Sequence, residues 1–360
     1  MLLSACTIGP AEPASAPAAV TAASADRMRA DLDALIRAGA VGALATRTEH
    51  GVTTVTTAGR ADIAAGIPLS ADSPQHIRAG SITKTFTAAI VLQLAAEGRV
   101  DLDRPIDEYL PGLLTVAGRT VTVRQILGHR SGLPEPAESP ETSEYTAARM
   151  GRTYTPAQEI ALALTHPAQF APGTRFGYSN TNYIVAGMLI ESVTGHRYTD
   201  ELRDRVLVPL NLPDTYLPAT GETGLRRPHP TGYSVIDGIV TDTTRIEPSL
   251  PWASGALVST GADLNRFYVA LLAGQIVPRP ELRQMLDGVD MGSDDGMSYG
   301  LGVGYTRLPC GADFVGNVGG VLGFTTISGT TTAGRAVTFS YTGAPATTDI
   351  RGLLTHALCE

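Results

Sequence analysis

The chain has 360 residues, of which 43% are hydrophobic and 17% charged, and its formal net charge is −8. Such a chain is globular and long enough to bury a substantial core, and its acidic balance argues against nucleic acid as a partner. No run of eighteen or more apolar residues is free of polar interruption, which excludes a membrane-spanning helix in this sequence.

Leu3-Ser4-Ala5-Cys6 resembles a bacterial lipobox, in which the cysteine is lipidated after signal cleavage. Cys6 is therefore a candidate lipidation site and lipid anchor. The residues before it hold neither a basic n-region nor a full apolar h-region. A leader that begins further upstream is the expected reading; an accidental match is the other. Residues 1–24 are rich in Ala, Pro, Ser and Thr, as in a signal remnant followed by a disordered tether. The expected location is outside the cytoplasm, secreted or lipid-anchored.

Residues 25–40 space their apolar side chains by three and four, so they predict a helix closed by Gly39. Val41–Thr46 and Val52–Thr57 are β-branched runs around Glu49-His50-Gly51, the pattern of a hairpin. The run from Phe86 to Ala96 is apolar on almost every side, which predicts a buried helix ending near Gly98. Asp101–Pro111 and Val121–Leu127 read as short helices, and residues 134–155 as an exposed loop or lid. Thr155–Leu164 and Asn182–Val193 read as helices. After about 250 the pattern turns to strand: Ala256–Ser259, Gly300–Tyr305, Phe314–Val318, Phe324–Ser328 and Ala336–Tyr341, then a helix over Thr347–Leu358. The expected architecture is one α/β catalytic domain, 25–360. Its α/β lobe is discontinuous, about 25–80 and 250–360, with an α-rich lobe inserted over about 81–249.

The chain holds 27 Lys plus Arg, and 26 of them are Arg; Lys84 is the single lysine. A lysine kept in such a background suggests a need that arginine cannot meet, since a buried Lys can deprotonate and Arg cannot. Ser81-Ile82-Thr83-Lys84 opens the apolar helix, and residues three apart share a helix face. The positive end of the helix favours the free amine and would stabilise an oxyanion near the serine. A serine with an adjacent base is a nucleophile candidate. The bland reading is an N-cap Ser with a solvated Lys one turn on. Tyr178-Ser179-Asn180 precedes the second long helix. Tyr178 is a candidate proton relay and Asn180 a candidate substrate ligand, although Ser and Asn commonly make turns and caps. No G-x-S-x-G elbow is present, against an ordinary α/β-hydrolase. Of the three cysteines, Cys310 and Cys359 read either as one disulfide of an extracytoplasmic chain or as two buried thiols. Nothing suggests a metal or another cofactor.

In order along the chain, Ala79-Gly80-Ser81-Ile82-Thr83-Lys84-Thr85-Phe86-Thr87, His129-Arg130-Ser131-Gly132-Leu133 and Tyr178-Ser179-Asn180-Thr181-Asn182-Tyr183 resemble the serine penicillin-recognising family. Within it the resemblance points to class C β-lactamases and secreted D-alanyl-D-alanine carboxypeptidases, over roughly residues 30–360. It implies an antiparallel sheet flanked by helices beside an all-α lobe, and acyl transfer through Ser81, Lys84 and Tyr178. It also implies a Cys310–Cys359 disulfide. Peptides or small acyl compounds are the implied substrates, with β-lactams as candidate acylating ligands and a monomer as the expected state. His129 falls in a scaffold turn of the family.

The third family motif departs from the pattern. On the strand Gly316-Asn317-Val318-Gly319-Gly320, Asn317 stands where His is usual and Gly320 where the carboxypeptidases carry a Thr. Gly304 stands where they carry an Arg for the substrate carboxylate. The backbone N–H groups of Ser81 and Gly320 can still form an oxyanion hole, which needs no side chain. Asn317, Gly319, Gly320 and Trp252 are candidate substrate contacts. The expectation is a serine acyl-enzyme hydrolase of the carboxypeptidase/β-lactamase type. The alternatives are an esterase or acyltransferase of the same fold, which the altered strand favours, and an inactive penicillin-binding relative.

Overall fold

A computed structural model describes residues 22–114, 119–135, 143–292 and 296–359. Cys6 and the proposed leader and tether therefore lie outside the described residues, apart from the start of the first helix.

The elements, in chain order, are α1 (Ala22–Ala38), β1 (Ala40–Glu49), β2 (Val52–Asp62), β3 (Ile67–Pro68), β4 (Ile77–Arg78), α2 (Thr83–Ala96), α3 (Val123–Leu127), α4 (Glu144–Met150), α5 (Pro156–Ala163), α6 (Thr181–Thr194) and α7 (Tyr198–Leu202). They continue with β5 (Tyr233–Ile236), β6 (Ile239–Asp242), α8 (Trp252–Gly255), β7 (Val258–Ser259), α9 (Gly261–Leu272), α10 (Arg279–Met285), β8 (Val289–Asp290), β9 (Ser298–Tyr299), β10 (Gly304–Arg307), β11 (Asp313–Val321), β12 (Phe324–Thr331), β13 (Ala336–Gly343) and α11 (Ile350–Cys359).

Nine strands form one antiparallel sheet in the order β3-β2-β1-β13-β12-β11-β10-β9-β8. The two ends of the chain build it together, because β1 pairs with β13 from Thr48↔Ala336 to Ala40↔Gly343. Strand alternation divides the sheet faces. Ala43, Ala45, Val337 and Phe339 pack with Met28, Leu32 and Leu35 of α1 and with Leu354 and Leu358 of α11. The opposite face carries hydroxyls that pair among themselves or with α9. Ser328 bonds Thr338 at 2.7 Å, and Thr338 donates to Asn265 Oδ1 at 2.8 Å. Polar groups buried this way are satisfied and so cost little.

Helix α2 runs through the main core, with Phe86 to Leu92 fully buried. Its threonines bond inward: Thr87 Oγ1 donates to the Ala253 carbonyl at 2.8 Å and Thr85 Oγ1 to the Gly302 carbonyl at 2.7 Å. These contacts tie α2 to α8 and to the turn before β10. Helix α6, also apolar, packs beside α2.

Four segments differ from their sequence readings, and in the first, Asp101–Pro111, the expected helix is reduced to a single 3₁₀ turn at Ile106–Glu108. Residues 143–150, expected in a loop, start with Ser143 as an N-cap and form α4. Residues 261–272, inside a stretch read as strand-rich, form α9, whose Leu264, Phe267, Tyr268 and Leu271 are buried at helical spacing. Tyr233–Asp242 forms a two-stranded hairpin apart from the main sheet. Among the described residues, no helix is long and apolar enough to cross a membrane.

Candidate active site

Ser81 sits in a single 3₁₀ turn, Gly80–Ile82, that leads into α2. Two glycines hold that turn against β11. Gly80 has φ +54°, and a Cβ there would lie 2.8 Å from Gly320 N. A Cβ on Gly319 would lie 1.9 Å from the Ala79 carbonyl oxygen and 2.9 Å from Ser81 N. Only glycine at both positions lets the two backbones meet, and the meeting sets the Ser81 and Gly320 amides beside each other. Gly320 itself faces open space, with no neighbouring atom within 4 Å of where a Cβ would lie.

Lys84, one turn into α2, is fully buried. Its Nζ donates to Ser81 Oγ at 3.0 Å, Asn180 Oδ1 at 2.7 Å and the Ser254 carbonyl at 2.7 Å. Burial lowers its pKa to about 7, against an opposing pull from Glu135. Burial is thus the main cause, where the sequence pointed to the helix terminus. A neutral amine has two N–H groups and one lone pair. The Asn180 and Ser254 oxygens can only accept, so they take the two N–H groups and leave the lone pair for the Ser81 hydroxyl.

Tyr178, in the loop before α6, brings its Oη within 2.6 Å of Ser81 Oγ. Although the residue is 40% exposed, dense protein around the hydroxyl drives the phenol far above its ordinary range. Tyr299 and Glu135 add to that rise, and the bond with Ser81 opposes it. The phenol therefore keeps its proton and can give it only to a strongly basic atom. His129 supports Tyr178 from three sides. Its ring stacks on the Tyr178 ring at 4.3 Å between centroids, its Nδ1 accepts from Ser179 N, and its carbonyl accepts from Gly177 N. Burial, then the Lys84 charge, hold His129 well below its ordinary pKa, so it is neutral.

Asn180, a candidate substrate ligand in the sequence, is held between Glu135 and Lys84. Its Nδ2 donates to Glu135 Oε1 at 2.6 Å and its backbone N to Glu135 Oε2 at 2.5 Å, which turns Oδ1 toward Lys84. Its amide is engaged inside the protein and orients the lysine. Asn317 is 9% exposed; its Oδ1 accepts from Val318 N at 2.9 Å, and its Nδ2 lies 3.4 Å from the Ser81 carbonyl. It braces β11 against the start of α2. The Trp252 indole, expected at the substrate, packs over Gly187 and edge-on to Tyr198 at 5.4 Å. It is the backbone of the same short helix, through the Ser254 carbonyl, that reaches Lys84. Cys310 and Cys359 are joined by a disulfide.

Sequence reasoning did not find Glu135, Ser254 or the tyrosine-supporting role of His129. Ser254 acts through its carbonyl, which leaves no mark in a sequence. Glu135 meets Asn180 across 45 positions. His129 lay in a quoted motif, and its φ of +52°, rare for a residue with a side chain, marks it only in the structure.

The family model described as Beta-lactamase matches residues 20–352. Among solved structures, the D-stereospecific amidohydrolase from Streptomyces sp. superimposes with a TM-score of 0.84 at 33% identity, covering 93% of this chain and 98% of that one. The D-amino acid amidase from Ochrobactrum anthropi SV3, complexed with D-phenylalanine, gives 0.80 at 27% identity, covering 92% and 96%. Penicillin-binding protein 4 of Amycolatopsis lactamdurans is 29% identical over 150 residues, 41% of this chain. That match spans 37% of the relative's own length.

Proposed function

Because this chain belongs to the Beta-lactamase family and has the serine-hydrolase fold of its neighbours, we propose that it is an acyl-enzyme amidohydrolase acting on small amides or short peptides of D-configured amino acids. The observation that carries the reading is the trio in which Lys84 Nζ and Tyr178 Oη both touch Ser81 Oγ. In the proposed cycle Lys84 takes the serine proton as Oγ attacks the acyl carbon. The Ser81 and Gly320 amides hold the oxyanion. Tyr178 passes its proton to the leaving nitrogen as the C–N bond breaks, and the Lys84 proton restores the phenol. Water then enters under the same groups and releases the acid.

The D-configuration rests on the names of the two structural neighbours. Turnover of D-phenylalaninamide against its L-enantiomer tests it. The expected outcome is a preference for D of at least about tenfold in kcat/KM, a difference a shaped pocket readily supplies. Equal rates would remove the stereochemical part of the reading.

A carboxypeptidase acting on D-alanyl-D-alanine termini is the second reading, favoured by the likeness to a penicillin-binding protein. Gly304, Val318 and Gly320, around the β11 edge, offer no cation for a terminal carboxylate, and this ranks it below the amidase. An esterase or acyltransferase would use the same trio on another acceptor. The polar partners of Lys84 argue against an inactive relative, since its three contacts hold the amine in one geometry against the serine. The disulfide between Cys310 and Cys359 supports a place outside the cytoplasm, where such bonds persist.

A further inference from the structure

A cavity of about 220 Å³ opens directly beside the catalytic tyrosine. Tyr178, Tyr299 and Asn317 form its polar end; Met291, Met297, Val318, Ile350 and Leu354 supply apolar wall. None of the described residues lining it carries a charge. Gly304 on β10 also lines it, and the methyl of Met297 packs where a side chain at Gly304 would begin, 2.9 Å from the position of its Cβ. Val318 is 37% exposed on the same wall, so it presents apolar surface to the cleft.

We propose that this cavity is the leaving-group subsite and that it selects an uncharged, apolar amine or alcohol, such as an alkyl or aryl amine. The inference rests on the acyl-enzyme reading above. In that reading Tyr178 protonates the departing atom, so the departing atom lies against the Tyr178 hydroxyl. Whatever it carries must then extend into the space adjoining that ring. When Ser81 Oγ bonds to the acyl carbon, the carbon–nitrogen or carbon–oxygen bond breaks. The serine proton goes to Lys84, the Tyr178 proton to the leaving atom, and the Lys84 proton to Tyr178. The neutral amine or alcohol then departs through the cavity. A carboxylate there would be desolvated against methionine and aliphatic carbons without a cation, which is costly. Methionine walls are adaptable, so the subsite accommodates varied apolar shapes and disfavours charge.

The test uses the whole protein and three amides of alanine, in both enantiomers so that handedness does not decide it: methylamide, n-pentylamide and the glycine conjugate. The expected result is that kcat/KM for the pentylamide exceeds that for the methylamide and the glycine conjugate by about tenfold or more, within what four buried methylenes can supply. Val318→Arg and Gly304→Arg each bring a cation to the cavity and should move the preference toward the glycine conjugate by about tenfold or more. Val318 is exposed, so its variant should fold even if Gly304→Arg does not. Ethyl fluorophosphonate labelling of Ser81 separates the two levels of the argument. Labelling together with a flat amide series, or with a wild-type preference for glycine, overturns the subsite. Failure of Ser81 to label overturns the acyl-enzyme reading and the subsite with it.

Discussion

An amine with two acceptor-only neighbours has one position left for its lone pair, and at Lys84 that position is Ser81 Oγ. Substituting Lys84→Arg should cost about 10²- to 10⁴-fold in kcat, as expected for losing a positioned base, and nearly as much as Lys84→Ala. The pH dependence follows from burial. Because the free amine is the active form and its pKa is lowered to about 7, kcat/KM should fall as pH drops through that value. Tyr178 contributes no acidic limb or basic limb near neutrality, since burial pushes its ionisation far upward. His129→Asn keeps a residue tolerant of the left-handed backbone but removes the ring under Tyr178. We expect kcat to fall at least about tenfold with little change in KM, because the tyrosine is misplaced while substrate contacts remain. An equal loss in binding would place His129 in the substrate pocket.

At the scale of elements, the crossing of β11 over the 3₁₀ turn is the structural requirement of the site. Gly319→Ala inserts a methyl 1.9 Å from the Ala79 carbonyl oxygen, so strand and turn must separate. Loss of an aligned oxyanion donor alone costs about 10²- to 10³-fold in kcat, and a lowered Tm should accompany it. Gly320→Ala meets no protein atom and should keep Tm near wild type, so a lowered Tm in Gly319→Ala alone reports the separation of strand and turn. Ser81 and Lys84 stood out in the sequence because a single lysine at helical spacing from a serine is a chemical signal that survives without coordinates, whereas Tyr178 read alone as a turn residue and drew its role from the family resemblance. Helices α2 and α6 were legible from their uninterrupted apolar runs. Helix α9 was not, although Leu264, Phe267, Tyr268 and Leu271 have helical spacing, because the strands and glycines around it dominate the local pattern. The roles of Asn180 and Trp252 could not be separated by sequence. Which face of an amide or indole meets its partner is decided by packing from distant segments, Glu135 for one and Gly187 for the other.

At the scale of the molecule, the two ends of the chain close the sheet through the β1–β13 pair, and the disulfide ties the turn before β11 to the end of α11. The bond spans 49 positions. Its removal should lower stability by up to about 4 kcal/mol in the chain-entropy account, read as a lower Tm in reductant at unchanged pH. Helix α11 also supplies Ile350 and Leu354 to the cavity beside Tyr178, so reduction should weaken discrimination between apolar leaving groups more than it weakens labelling of Ser81. The central claim is that Ser81 is the nucleophile and that a neutral Lys84 activates it. The most direct measurement is the rate of covalent labelling by a fluorophosphonate across pH, with the adduct mapped by peptide mass. The account predicts an adduct on Ser81 whose rate rises through about pH 7 and is lost in Lys84→Arg. An adduct on Ser131 or Ser179, or labelling that Lys84→Arg retains with the same pH profile, would contradict it.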